Sequence, residues 1–327
     1  MITRPQSGHA PVNGIALYYE LHGSGEPMVL LHGGFGAIEM FGPVLAELAK
    51  TRQVIGVDLQ GHGRTLPFDR PMTFANMATD VAELIKWLGH DKADVVGYSL
   101  GGATALRLGI DHPEVVNRLV LTSVPYAFAG WHDYNQQGMK GMAANPAAAV
   151  DGMKQTPMYQ MYAQLMPNAE TNWPKTIAQT AGLVGQDFDW SASVPGLPMP
   201  TMLMVGDWDA VRTSHVASFF ELLGGGKQDA NWDGSGMNKN RLAVLNGATH
   251  YNIFMDPRVA ATVTGGERAI DAVSGPRPTR GACAPRPAAA GSGRGTARRG
   301  ARCRRSTRPT SPGPCRSRRS RPRSPCA

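Results

Sequence analysis

The chain is expected to fold as an α/β protein: a mainly parallel central sheet flanked by helices, a helical cap inserted before the penultimate strand, and a disordered C-terminal tail. Three observations point there. Short apolar runs rich in β-branched residues alternate with helix-like segments between residues 15 and 250, the pattern of repeated βαβ units. A stretch from about Ala127 to Pro200 breaks that alternation and is too long for a simple connection. From Ser274 onward there is no Val, Ile, Leu, Met, Phe, Trp or Tyr, so that segment has nothing to bury.

Taken in order, "IALYYELHG" and "PMVLLHGG" read as strands, "AIEMFGPVLAELAK" as a helix, "QVIGVDLQGHG" as a strand with its loop, and "FANMATDVAELIKWLG" as a helix. A strand at 94–96 then runs into a helix at 103–109, and "VNRLVLTSVPY" is the next strand. After the long interruption, "PTMLMVGDWD" is a strand, "TSHVASFFELLGGG" a helix and "NRLAVLNGATH" a last strand. The domain division that follows is a core over 1–126 and 200–264, a cap over 127–199, and a tail over 265–327. The cap holds Trp131, Tyr134, Met139, Met142, Met153, Met158, Tyr159, Met161, Tyr162, Met166 and Trp173. Most of these are expected to pack the cap's own core, and a minority facing the sheet to form an apolar pocket.

Charge divides the chain in the same place. The 327 residues carry 33 basic and 25 acidic side chains, and 15 of the basic ones are arginines after Asp271, where there is no lysine and no acid. The remainder holds 18 basic against 25 acidic residues, so the basic balance belongs to the tail. An Arg-rich, Lys-free mixture with Pro, Ala, Gly, Ser and Cys is what a GC-rich gene yields in a shifted reading frame, an origin that would begin near Gly265. The functional alternative is a basic arm for nucleic acid or an anionic surface. All four cysteines lie in the tail without histidines or close Cys spacing, which speaks against a zinc site. No disulfide-dependent secreted domain, signal peptide or membrane span is indicated, and a cytoplasmic location is expected.

The chemistry centres on "DVVGYSLGGATALRLG", residues 94–109. Ser99 lies where a buried strand turns abruptly into a helix, a junction that strains the serine backbone and lifts its hydroxyl over a helix N-terminus. Gly97 and Gly101 are expected because a Cβ would strike the opposite arm of the turn, and Gly102 because helix and strand pack closely. The bland reading is a Gly-rich loop with an incidental serine.

A serine hydroxyl needs a base to take its proton and a carboxylate to hold that base in the right tautomer. His250, in "LNGATHYNIF", ends the last strand and so reaches the sheet rim where Ser99 stands. His215 is weaker, at a helix start; His32 and His62 fit turn bracing; His9, His22, His90, His112 and His132 sit in loops or at element ends. For the carboxylate, "VGDWDAV" offers Asp207 and Asp209, and Asp209 lies further into the loop. No acid follows "LVLTSVPY".

"HGG" after the third strand, "GYSLGG" at the turn, "GDWD" after the seventh strand and "GATHYNIF" after the eighth occur in an order that resembles the α/β-hydrolase fold family, in its capped serine-hydrolase branch. The resemblance spans about Asn13 to Val263, and "WDGSGMNKNRLAVLNGATHYNIF" is similar to a group of small bacterial esterases. It implies Ser99 as nucleophile, Asp209 as orienting acid and His250 as general base, with the backbone N–H groups of Leu100 and Gly34 as oxyanion donors and Phe35 as the alternative to Gly34. It implies hydrolysis of carboxylic esters with no metal or organic cofactor, and the apolar, Met-rich cap favours short acyl or aryl esters. The expected partner is a small-molecule ester, with no specific nucleic acid and no membrane; the oligomeric state is left open. The same three residues also serve perhydrolases, C–C bond hydrolases, lactonases and amidases, and a non-catalytic binding protein is the remaining alternative. The haloalkane dehalogenases and epoxide hydrolases of this fold use aspartate where Ser99 stands. Two departures are the long loop "GGGKQDANWDGSGMNKN" and a last helix expected to shorten after "NIFMDPRVAATV", uncovering apolar sheet surface.

Overall fold

The computed structural model describes residues 6–274. Its strands are β1 (Gln6–Val12), β2 (Ile15–Gly23), β3 (Pro27–Leu31), β4 (Gln53–Asp58), β5 (Ala93–Tyr98), β6 (Val116–Thr122), β7 (Thr201–Trp208) and β8 (Arg241–Thr249). Its helices are α1 (Pro43–Leu48), α2 (Phe74–Trp87), α3 (Leu100–Asp111), α4 (Asp133–Ala144), α5 (Pro146–Met153), α6 (Pro157–Leu165), α7 (Ala169–Val184), α8 (Thr213–Leu222) and α9 (Pro257–Ser274).

Among the described residues one sheet forms in the order β1-β2-β4-β3-β5-β6-β7-β8. From β4 to β8 every pairing is parallel, while β1 and β2 run antiparallel at one edge. A parallel sheet covered on both faces needs strands apolar on both sides, and β3 shows it. Met28 and Leu30 point into a layer with Val44 and Leu48 of α1 and Val259 and Val263 of α9. Val29 and Leu31 point into the opposite layer, with Val81 of α2, Leu106 of α3 and Phe219 of α8. Burying a side chain of this size stabilises by about 1.5–3 kcal/mol, so these two layers hold the sheet rigid beneath its rim.

Strand β1 is absent from the sequence reading. Gly8 and Pro11 dilute its strand signal, and Pro11 is tolerated because an edge strand can forgo one ladder donor. The hairpin to β2 closes on Asn13 and Gly14, both with positive φ (42° and 77°), as a two-residue turn matched to strand twist requires. The expected helix over 37–50 is also two pieces: a 3-10 turn Ile38–Phe41 stops at Gly42 (φ 44°), and Pro43 opens α1.

Helical structure continues past residue 264, where the tail is expected to begin. Helix α9 runs from Pro257 to Ser274, opened by Pro257 at its first position, although the Val and Thr residues of its first half are weak helix formers and Gly265 and Gly266 cost about 1 kcal/mol each. Val259, Ala260 and Val263 of its first two turns are buried against the sheet, which offsets that weak propensity. Of the tail expected over 265–327, the part from 275 onward, with its arginines and cysteines, lies outside the described residues. The long loop between α8 and β8 leaves the sheet intact: β7 and β8 remain neighbours, and Asn240 at its end accepts the Thr201 N–H at 2.9 Å while its amide donates to Leu223 O at 2.7 Å.

Candidate active site

The chain leaves β3 toward β4 and leaves β5 toward β6, in opposite directions along the sheet. Such a reversal opens a crevice at the carboxyl ends of the two strands. The 32–36 loop and Ser99 flank that crevice.

Ser99 has φ 53° and ψ −116°, a left-handed conformation that costs a non-glycine residue roughly 1–2 kcal/mol. It is pinned on both sides: its N–H donates to Thr122 O at 3.0 Å, and its carbonyl accepts from Ala103 N at 2.9 Å as α3 begins. A Cβ on Gly97 would come within 2.3 Å of Gly101 O, the collision across the turn that the sequence implies. Gly101 is required for a different reason. Its Cβ would meet Leu31 O at 2.3 Å and His32 O at 2.5 Å, so α3 passes directly over the end of β3. A Cβ on Gly102 would press on the Val124 side chain at 2.9 Å.

The three chemical side chains converge. The Ser99 hydroxyl lies 3.1 Å from His250 Nε2, and His250 Nδ1 lies 2.9 Å from Asp209 Oδ1. Because a carboxylate can only accept, Nδ1 carries the proton and Nε2 presents its lone pair to the serine. Asp209 is buried and also accepts from Ser123 Oγ, Val211 N (3.1 Å) and Gly206 N (3.3 Å). Burial alone would raise its pKa. The bonds from His250, Ser123 and Val211 outweigh burial and hold the carboxyl below its usual range. The His250 ring packs between Tyr98 and Trp131, and the Tyr98 hydroxyl donates to His250 O at 2.5 Å. Burial first, and the charge of Asp209 next, keep that phenol protonated.

Asp207 does something else. Its Oδ1 accepts the Gly247 N–H at 2.8 Å, where the β7–β8 register slips. His215 also lies elsewhere: its Nε2 accepts the Tyr126 N–H at 3.2 Å, its ring stacks on Tyr126, and burial pushes its pKa down to about 4. His32 braces its turn by donating from Nδ1 to Gly33 O at 2.8 Å and accepting Leu59 N at 3.0 Å. His62 donates from Nδ1 to Gln60 O at 2.8 Å.

A cavity of about 580 Å³ opens over Ser99 and His250. Gly34, Phe35 and Leu100 all line it, and the Leu100 N–H, at the first helical position of α3, has no carbonyl within the helix to bond. Of the eleven cap residues singled out in the sequence, Trp131, Met139, Met142, Met158 and Met161 line this cavity. Tyr162, Met166 and Trp173 form the cap's core with Phe35, and Met142, Met153 and Tyr159 pack against them. The division is therefore nearly even, with Met142 shared and Tyr134 exposed. Among the described residues no group of three or more His, Cys, Asp or Glu side chains is placed to hold a metal ion, and no helix is long and apolar enough to cross a membrane.

A family model described as "alpha/beta hydrolase fold" matches residues 26–227. The chain belongs to the α/β-hydrolase fold family. Among curated relatives of this α/β-hydrolase chain, a soluble epoxide hydrolase of Corynebacterium sp. (strain C12) is 38% identical over 129 residues, covering 38% of this chain and 44% of that protein. A putative carbamate hydrolase of Caulobacter vibrioides is 38% identical over 112 residues, covering 33% and 42%. The chain thus matches less than half the length of these relatives. A thermophilic esterase from Thermogutta terrifontis shares the fold with a TM-score of 0.62 at 20% identity, covering 82% of this chain and 99% of that one.

Two features of the α/β-hydrolase site carry no signal in the sequence reading. Ser123 sits in "LTSVPY", a stretch without an acid. Met40, Phe74, Phe188, Phe254 and Met255 complete the cavity wall from four separate segments, which only the folded arrangement assembles.

Proposed function

We propose that this α/β-hydrolase family member cleaves carboxylic esters of uncharged, apolar acids, short-chain or aryl, through an acyl-enzyme on Ser99. The observation that carries this reading is the continuous hydrogen-bond chain from Asp209 through His250 to Ser99, opening directly into an apolar cavity. His250 Nε2 takes the hydroxyl proton as Ser99 Oγ attacks the ester carbonyl, and Asp209 stabilises the imidazolium that forms. The N–H groups of Leu100 and of Gly34, with Phe35 as the alternative, receive the developing oxyanion. The alcohol departs with the proton from His250, and the same imidazole activates water to release the acid.

Two properties favour acyl chemistry on neutral esters over the neighbouring reactions. A serine alkoxide that opened an epoxide would form an ether, which water cannot release at this site, whereas an acyl group on Ser99 is hydrolysable. No Lys, Arg, Asp or Glu is among the described residues lining the cavity, so a substrate bearing a free carboxylate would lose its hydration without gaining a counter-charge. The test is turnover of a series of p-nitrophenyl esters of increasing acyl length, combined with mass-spectrometric mapping of a fluorophosphonate adduct. Turnover with the adduct on Ser99 is expected. A folded chain that hydrolyses none of the esters and takes up no phosphonate would overturn the reading.

A further inference from the structure

The geometry points to Ser123 as a positioning residue for Asp209, acting on the reaction through the carboxylate and never on substrate. Ser123 follows β6 directly, is buried, and has φ 53°. Its N–H donates to Met204 O at 2.8 Å, which fixes the end of β6 against β7. Its hydroxyl donates to Asp209 Oδ2 across a separation of 86 residues.

The bonds to Asp209 divide by oxygen. Oδ1 receives the His250 Nδ1–H and the Val211 N–H, while Oδ2 receives the Ser123 hydroxyl and only a longer bond, 3.3 Å, from Gly206 N. A carboxylate on a short side chain turns easily about its last bond, because that torsion is broad and two-fold. Held at Oδ1 alone, it could swing about the imidazole and lose alignment. The Ser123 hydroxyl anchors the far oxygen and leaves Oδ1 in line with the ring.

Backbone strain gives a second, independent argument. A left-handed φ in the core is cheap for glycine and costs serine roughly 1–2 kcal/mol. If this position served only to turn the chain, glycine would do so at lower cost. What serine adds is the hydroxyl, and the turn aims it at Asp209. Val124, the next residue, lines the cavity and Ser123 does not.

Two variants that lack the hydroxyl and differ in backbone comfort separate this role from a structural one. Ser123→Gly relieves the strained φ and Ser123→Ala keeps it. Both are expected to lose kcat about tenfold, the scale of one hydrogen bond to a charged group, with KM within about twofold. The rate of fluorophosphonate attack on Ser99 should fall alongside kcat. Thermal stability should be retained or raised in the glycine variant and lowered in the alanine variant. The kinetic arm rests on the esterase reading above. A second arm does not: the downfield proton resonance of the Asp209–His250 bond needs no substrate, and it should shift or broaden in both variants. A chain that hydrolyses no ester would sink the esterase reading and leave Ser123 to be judged by that resonance alone. An unchanged resonance in Ser123→Gly, or activity lost only where stability is lost, would overturn the proposal.

Discussion

Asp207 Oδ1 holds the Gly247 N–H at 2.8 Å, and this bond bridges the point where β8 takes extra residues relative to β7. A Cβ at Gly206 would lie 2.3 Å from Ala248 O, so the two strands approach closely there. The bulge delivers His250 to the rim. Two aspartates in one "GDWD" segment therefore divide the labour: Asp207 shapes the strand end, and Asp209 bonds the imidazole that this strand end presents. Asp207→Asn, which keeps an acceptor oxygen, should retain ester turnover within about threefold, because an exposed neutral bond is worth only about 1 kcal/mol. Asp209→Asn should lower kcat about 10³- to 10⁴-fold, since an amide can favour the wrong imidazole tautomer. Steady-state kinetics on both variants checks this, and comparable losses would refute the division.

The strained serine leads to a prediction of opposite signs for stability and activity. Ser99→Gly removes the left-handed penalty of roughly 1–2 kcal/mol, and for a domain of this size each kcal/mol moves the thermal midpoint about 2–4 °C. The variant should melt a few degrees higher while ester turnover falls by about 10⁴ or more. A lower midpoint would mean that the hydroxyl contributes more to folding than the backbone costs.

The elements that could be read from sequence are those whose cause is local. Strands β3 to β7 are continuous apolar runs because helices cover both faces of a parallel sheet. Ser99, Asp209 and His250 each follow a strand end, and rim position together with the order of their motifs singles them out. Gly97 was legible for the right reason, a clash within its own turn, whereas Gly101 was legible only as a glycine, since its clash partner is β3, some seventy residues away. Strand β1 was hidden by Gly8 and Pro11, which lower strand propensity without preventing an edge strand. Ser123 was hidden because its role depends on a positive φ and on a partner 86 residues along the chain. Neither leaves a trace in a window of neighbours.

Buried histidines should make the fold acid-sensitive before most carboxylates titrate. Burial lowers His32 to about 3, with the nearby His62 adding to the shift, and burial lowers His62 to about 4. Their folded pKa values are depressed below the ordinary 6.5, so the unfolded chain binds more protons below that pH. Stability is then full above about pH 6.5 and falls as the pH drops toward 4, by about 1.4 kcal/mol per pH unit for each histidine. Asp58 works in the other direction. Burial raises it to about 6 against the bonds it accepts from Ile38 and Arg64, so the folded state holds the extra proton between about pH 4 and 6 and offsets one histidine there. The thermal midpoint should therefore begin to fall near pH 6.5 and go on falling between about pH 6 and 5 with the near-constant slope of about one net histidine. A midpoint that stays flat from pH 7 to 5.5 would contradict neutral, buried His32 and His62.

The composition of the cavity wall sets the last expectation, which concerns what the site rejects. Six methionines, Met40, Met139, Met142, Met158, Met161 and Met255, share the lining with Phe35, Phe74, Trp131, Phe188 and Phe254. Thioethers adapt their shape to varied acyl groups, so acyl groups of similar volume and different shape should be discriminated weakly. Charge should discriminate strongly, because a carboxylate entering this cavity gives up its water for a wall without a cation, at an effective cost of several kcal/mol. For two esters of equal length, a neutral one and a half-ester of a dicarboxylic acid, kcat/KM should differ by about 10² or more in favour of the neutral ester. Met158→Arg tests the cause directly. Met158 stands at the rim with 36% exposure, so a guanidinium there can keep its head in water while facing the cavity. The variant should narrow the ratio by raising turnover of the half-ester, with little change for the neutral one. Equal kcat/KM for both esters in the unsubstituted protein would show that the missing counter-charge does not govern selectivity.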